Sequence, residues 1–252
     1  MSAAPPRRAL LGLSLDALTM EQTVARCVQA VENRENLTIG VVNAAKAVNM
    51  SHDPALRDSV TSCDLVVADG QAVVWASRLL GHPLPERVAG IDLFTALMEE
   101  GARRSYRAYF LGARPEVLDR VVAEVRRRYP GLTVAGARDG YFTDEEAPEV
   151  AARIGEAKPD LLFLGMTSPK KEIFLARFAD DIRAGVNHGV GGSFDVLAGK
   201  VRRAPVLWQR LGAEWLYRFL QEPLRLGPRY LSTNTRFAWM VAKEYLHARN
   251  HP

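Results

Sequence analysis

Short runs of consecutive apolar residues, each closed by glycine or a polar residue and followed by a helical pattern, recur along this chain and leave few folds open to it. Residues 161–164 read Leu-Leu-Phe-Leu, without the alternation of a half-exposed strand, so they suit a strand buried on both faces; Gly165 breaks the run. Residues 37–42, 65–68, 107–111, 132–135 and 185–190 repeat the signal. Between them lie helices with identifiable starts. Thr19 and Gln22 have capping-box spacing before Val24, Cys27, Val28 and Val31, and Thr143 and Glu146 have it before a helix through Ala157. A third helix carries Val117, Leu118, Val121, Val122 and Val125 on one face. Strands alternating with helices predict a Rossmann-like α/β fold, a parallel sheet with helices on both faces.

Several function classes drop out. There is no G-x-G-x-x-G and no Walker sequence, which leaves no support for a dinucleotide dehydrogenase or a P-loop NTPase. Cys27 and Cys63 have neither metal-ligand spacing nor a disulfide framework around them, so buried thiols in a reducing compartment are expected. No apolar run reaches 18 residues and the first residues lack a signal-peptide core, so a cytoplasmic protein is expected. No metal site and no cofactor are indicated.

Charge divides the chain in two. Residues 200–252 carry ten Lys/Arg against three Glu, a net +7, while the whole chain is only +4. We therefore expect a catalytic α/β domain over 1–199 and a basic, aromatic-rich helical C-terminal appendage over 200–252. Within the appendage, 205–221 reads as a helix ended by Pro223, with Arg210, Glu214 and Arg218 at i,i+4 spacing. A second segment, 228–247, sets Tyr230, Phe237, Trp239 and Tyr245 beside Arg229, Arg236 and Lys243. Aromatics beside cations suit a membrane interface; packing onto the body, or onto a partner subunit in a homo-oligomer, is the alternative. A basic tail also fits a nucleotide-binding regulator that holds nucleic acid, which salt-dependent DNA or RNA binding would reveal.

Open parallel sheets place ligands beyond the carboxyl ends of their strands, and the polar candidates gather there. Asn43 follows one strand, as a helix cap or as a pocket residue. Asp69 follows another, as a turn residue capping the next helix or as a general base. Gly112, Gly165 and the Gly191-Gly192 pair, with Asp195 shortly after, stand at other strand ends. Ser168-Pro169 reads as an N-cap and first helical residue, with Lys170 and Lys171 in a first turn where the macrodipole is already positive. Such a start is either an ordinary helix with solvated lysines or a phosphate cradle of backbone N–H groups and two converging ammonium groups. Arg87 lies in the Gly- and Pro-rich loop 81–92, whose Asp92 is expected to cap the next helix.

These motifs, in this order, resemble the WecG/TagA/CpsF family of bacterial glycosyltransferases. The likeness rests on Asn43, Val-Val-Ala-Asp69-Gly70, Arg87-Val-Ala-Gly90-Ile-Asp92, Phe-Leu-Gly112, Gly140-Tyr-Phe, Leu-Gly165, Ser168-Pro169-Lys170-Lys171-Glu172 and Gly189-Val-Gly-Gly192-Ser-Phe-Asp195. It continues through Ala198 to Pro205, Gly212-Ala-Glu-Trp-Leu-Tyr-Arg218 and Gln221-Glu-Pro223, and so covers roughly residues 10–245. The resemblance implies a metal-independent, inverting transfer of a sugar from a nucleotide donor, usually UDP-linked, to a polyprenyl diphosphate-linked acceptor at the cytoplasmic membrane. It implies Asp69 as the base and Asn43 in the same pocket; from their places along the same sheet edge we expect Gly112, Gly165, Ser168, Lys170, Lys171, Gly191, Gly192 and Asp195 around the nucleotide sugar. Arg87 and Asp92, with Arg210, Arg218 and Arg225 of the appendage, are then assigned to acceptor or phosphate contacts. Two positions depart from the family pattern: Val41 stands where Thr is frequent, and Lys171 where Gln is usual. Both bear on the donor sugar.

Overall fold

A computed structural model describes residues 5–210, 212–221 and 223–250; the side chains at 210, 218, 224–231, 248 and 250 lie outside the described set, and with them those of Arg210, Arg218 and Arg225. The expected α/β fold is present. Six parallel strands form one sheet: β3 (Leu37–Val42), β4 (Leu65–Ala68), β5 (Arg107–Gly112), β6 (Thr133–Arg138), β7 (Leu161–Gly165) and β8 (Val186–Gly189). Their order across the sheet is β4-β3-β8-β7-β5-β6.

Alternation along buried strands sends neighbouring residues to opposite faces. Leu161 and Phe163 of β7 join Ala108 and Phe110 of β5 under α1 (Met20–Glu32), α5 (Gly90–Arg104) and α6 (Pro115–Arg128). Leu162 and Leu164, with Tyr109 and Leu111, pack on the other face against α7 (Ala147–Glu156) and α8 (Lys170–Ile182). The apolar runs of β5 and β7 thus mark strands covered on both sides, whereas β6, at the sheet edge, is only partly buried. Both capping boxes form: Thr19 accepts the Gln22 N–H, and Thr143 and Glu146 exchange hydrogen bonds just ahead of α7.

A hairpin of β1 (Arg7–Leu10) and β2 (Leu13–Asp16) stands outside the sequence expectations. Leu11 and Gly12 both take positive φ, 52° and 68°, as a two-residue hairpin turn requires, but without the Asn-Gly signature that would announce it. Asp16 is buried, accepts the Val66 N–H at 2.7 Å and pairs with Arg7 at 2.9 Å, so the hairpin covers the exposed edge of β4.

The C-terminal region holds α10 (Val206–Arg210), α11 (Glu214–Gln221) and α12 (Pro223–Asn250). α11 ends at Gln221, ahead of Pro223 as expected, and Pro223 also starts α12, because its fixed φ and missing N–H are tolerated in a first turn; the single helix expected over 205–221 is divided into α10 and α11. Phe237 and Val241 of α12 are buried in one apolar cluster with Leu10 and Leu13 of the hairpin and Ala47, Val48 and Met50 of α2 (Ala44–Met50). Among the described residues no helix is long and apolar enough to cross a membrane.

Candidate active site

Parallel pairing of β3 and β4 sets Val42 beside Ala68, so the next residues, Asn43 and Asp69, leave the sheet side by side. Asn43 caps α2: its Oδ1 accepts the Lys46 N–H at 3.0 Å. That bond fixes which end of the amide is which, and Nδ2 is left to donate to Asp69 Oδ2 over a long 3.4 Å. The two readings of Asn43 are therefore compatible in one side chain.

Asp69 does not cap the helix that follows it. α4 (Gln71–Leu79) begins after Gly70 with no side-chain cap, and Asp69 Oδ1 instead accepts the Gly90 N–H, 2.7 Å away at the start of α5. That helix has Ala89 at its N-cap and no capping side chain, so a carboxylate from another strand end supplies the missing acceptor. Burial pushes the Asp69 carboxyl upward. The Gly90 N–H, Asn43, Lys46 and Arg87 work against that, and the net shift is upward. A carboxylate made more basic yet held by two donors is equipped to accept a proton.

Asp92 lies inside the first turn of α5 and is not its cap, a correction to the sequence reading. It pairs with Arg203 at 2.6 Å and with Arg87 at 3.6 Å, and Arg87 also reaches Glu214 at 3.2 Å. Loop, α5, the segment before α10 and α11 are thereby joined by one charge cluster.

The start of α8 differs from expectation. Lys170 is the first helical residue; Pro169 is the N-cap, and Ser168 makes no capping bond. The two lysines also diverge. Lys170 Nζ donates to the carbonyls of Gly140 and Phe142, each at 3.0 Å, and lies 4.1 Å from the Phe142 ring centroid. Lys171 turns under the sheet, where its ammonium and that of Lys46 meet Glu172 Oε1 at 2.6 and 2.7 Å. Burial disfavours the Glu172 carboxylate, but the two lysines more than offset it and hold the group at about 2. Burial, then the neighbouring Lys46, pushes Lys171 down. The physical reason is helix orientation: consecutive residues lie about 100° apart, so one lysine faces the β6–α7 connection and the next faces the sheet.

The strand-end glycines have specific neighbours. Gly112 and Gly165 are register partners, and a Cβ on Gly112 would lie 2.5 Å from the Gly165 carbonyl carbon. One on Gly165 would lie 2.2 Å from the Phe194 ring. Close packing of the chain on itself requires both. Around Gly192, by contrast, an added Cβ would meet nothing within 4 Å, so the turn is open at that residue. Asp195, in α9 (Ser193–Leu197), pairs with Lys200 at 3.3 Å.

Sequence reasoning missed Lys46 and His188, a buried imidazole in β8. The one available signal was polar Asn187-His188 inside an apolar strand. Among the described residues no group of three or more His, Cys, Asp or Glu is placed to hold a metal ion.

Comparison with known proteins matches residues 8–251 to the glycosyl transferase WecG/TagA/CpsF family. The chain belongs to that family. A relative from Bacillus spizizenii, N-acetylglucosaminyldiphosphoundecaprenol N-acetyl-beta-D-mannosaminyltransferase, is 38% identical over 173 residues. The alignment takes in 69% of this chain and spans 66% of the relative, just under two thirds of its length. The WecG/TagA/CpsF match runs through α10, α11 and α12 as well as the sheet, so the basic C-terminal region is part of the family sequence.

Proposed function

We propose that this chain is an inverting glycosyltransferase. It moves a sugar from a nucleotide donor, UDP-linked, onto a saccharide carried on a polyprenyl diphosphate, in the synthesis of a bacterial cell-surface polysaccharide. The observation that carries this reading is Asp69, a carboxyl of raised basicity held by Asn43 and the Gly90 N–H at the carboxyl ends of β3 and β4. The family membership and the printed activity of the relative support the substrate classes.

In the proposed step Asp69 takes the proton of an acceptor hydroxyl as that oxygen attacks the anomeric carbon. The bond from that carbon to the diphosphate oxygen breaks, its electron pair leaves with the nucleoside diphosphate, and the configuration inverts. Asn43 Nδ2 steadies the carboxylate. The open Gly191-Gly192 turn lets the donor approach the backbone closely. Lys170 supplies positive charge to the departing diphosphate: its carbonyl partners and the Phe142 ring are neutral, and among the described residues its third N–H has no hydrogen-bond acceptor.

Residues 200–252 are proposed to meet an anionic membrane surface, supported by their +7 charge and by exposed Trp215, Leu220, Trp239 and Leu246. The decisive experiment mixes the protein with UDP-N-acetylhexosamines and a short-chain N-acetylglucosaminyl diphosphate lipid and follows UDP release. Acceptor-dependent release supports the reading. No release with any nucleotide sugar, from protein that binds the donor, removes it.

A further inference from the structure

The last core strand carries a histidine at an apolar position. His188 is fully buried in β8 on the face covered by α5, following Val186 on the same side. Its Nε2 lies 3.0 Å from the Gly90 carbonyl oxygen. A carbonyl only accepts, so Nε2 carries the proton and Nδ1, which has no partner among the described residues, is bare. A leucine here would leave no buried nitrogen unpaired. What the histidine adds is its single bond to Gly90.

Gly90 is also the residue that holds Asp69. A Cβ built on Gly90 would lie 3.9 Å from Asp69 Oδ1 and 3.8 and 3.9 Å from Cε1 and Nε2 of His188, so imidazole and carboxylate flank one α-carbon. We propose that His188 is a positioning residue for Asp69: its N–H pins the Gly90 carbonyl, which fixes the first turn of α5 and so aims the Gly90 N–H at Asp69 Oδ1. Oδ2 then faces the acceptor hydroxyl. This rests on the reading of Asp69 as the base. Three charged groups face the ring: Asp69 beyond Gly90, and Lys46 and Lys171 from the other side of the sheet. Burial pushes the imidazole down, the Gly90 carbonyl opposes that, and the two lysines add to it, leaving it at about 4 and therefore neutral during turnover.

The test compares His188→Leu with His188→Gln, whose amide N–H can reach the same carbonyl. The leucine variant is expected to lose about 10-fold in kcat, with donor KM unchanged. The acid limb of its kcat/KM profile should move to higher pH, because a loosened Gly90 N–H no longer favours ionised Asp69. Glutamine should restore most of both. A leucine variant that folds normally, with wild-type kcat and acid limb, overturns the proposal. Asp69→Asn separates the two readings: if it retains turnover the base assignment fails, and if it is inactive while His188→Leu is unaffected only the positioning role fails. Should the leucine variant not fold, imidazole ¹⁵N spectra of the wild-type protein decide. A neutral Nε2–H ring between about pH 5 and 8 is expected, and an Nδ1–H tautomer or a titration near the ordinary histidine value overturns the proposal.

Discussion

Two of the helices that begin at the carboxyl edge of the sheet treat charge in opposite ways. α8 opens with Lys170, Lys171 and Glu172, and each is already engaged, with backbone carbonyls, an aromatic face or one another. α5 opens with Ala89 and Gly90, has no capping side chain, and receives its carboxylate from Asp69 on a different element. At the charged start Lys171 and Glu172 serve as structure, and only Lys170 is left to the proposed role at the diphosphate. The bare one holds a carboxylate that is supported from two sides and forms no ion pair among the described residues, which suits the proton transfer proposed for Asp69.

The sharpest way to break this contrast is to neutralise one carboxylate at each start. Asp69→Asn is expected to lower turnover by about 10²–10⁴-fold with donor affinity unchanged, by steady-state kinetics and titration calorimetry. It should also raise the melting temperature. Since burial raises the folded Asp69 above its unfolded value, its contribution to stability is present below the unfolded pKa and is lost as pH rises through the folded one. The gain from asparagine should therefore be larger at pH 7 than at pH 4.

Glu172→Gln leaves two buried ammonium groups without their anion, and urea unfolding should show a loss of about 3–5 kcal/mol, with activity per folded molecule falling far less than in Asp69→Asn. The wild-type carboxyl has the opposite pH sign to Asp69. Its folded value is depressed to about 2, so its contribution is present above the unfolded value of about 4.3 and disappears as pH falls through about 2. Acid titration of stability in wild type and Glu172→Gln should diverge across that window.

Gly165→Ala drives a methyl into the Phe194 ring and should destabilise by about 1–3 kcal/mol through overpacking, seen as a lower urea midpoint. Smallest is Lys170→Met, which should cost about 1 kcal/mol of stability. Because its charge is proposed to act on the departing diphosphate, kcat should also fall about 10-fold, roughly 1.4 kcal/mol, and wild-type kcat would leave Lys170 a purely structural residue like Lys171 and Glu172.

The same contrast explains what could be read in advance. The places of Asn43 and Asp69 were legible from strand-end position and, for Asn43, from a capping rule that acts over a few residues, and the parallel register then sets the two side by side; that Asp69 serves α5 and not the helix after it was not legible. The direction of Lys171 was not, since a first-turn side chain faces whatever its helix packs on, and nothing near 171 in the sequence says that the sheet lies beneath it. Asp92 and Ser168 were misassigned as caps for a related reason: an acceptor from elsewhere, Asp69, serves α5, and α8 starts after Pro169 with no side-chain cap. Pro223 carries a punctuation mark that reads both ways, as the stop of one helix or the first turn of the next. His188 left only the trace of polarity in an apolar strand.

The seating of α12 bears on how the chain reaches this structure. Phe237 and Val241 close an apolar cluster begun by Leu10 and Leu13, and Glu244 accepts the N–H of Leu11 across 233 positions of chain. Contacts this distant in sequence carry a high loop-closure entropy and form late. During synthesis the hairpin and α2, the helix that Asn43 caps, must wait for residue 244 with their apolar faces uncovered. Removing the basic region would make that exposure permanent, so substitutions at exposed Trp215 and Trp239 test membrane contact more cleanly than truncation does.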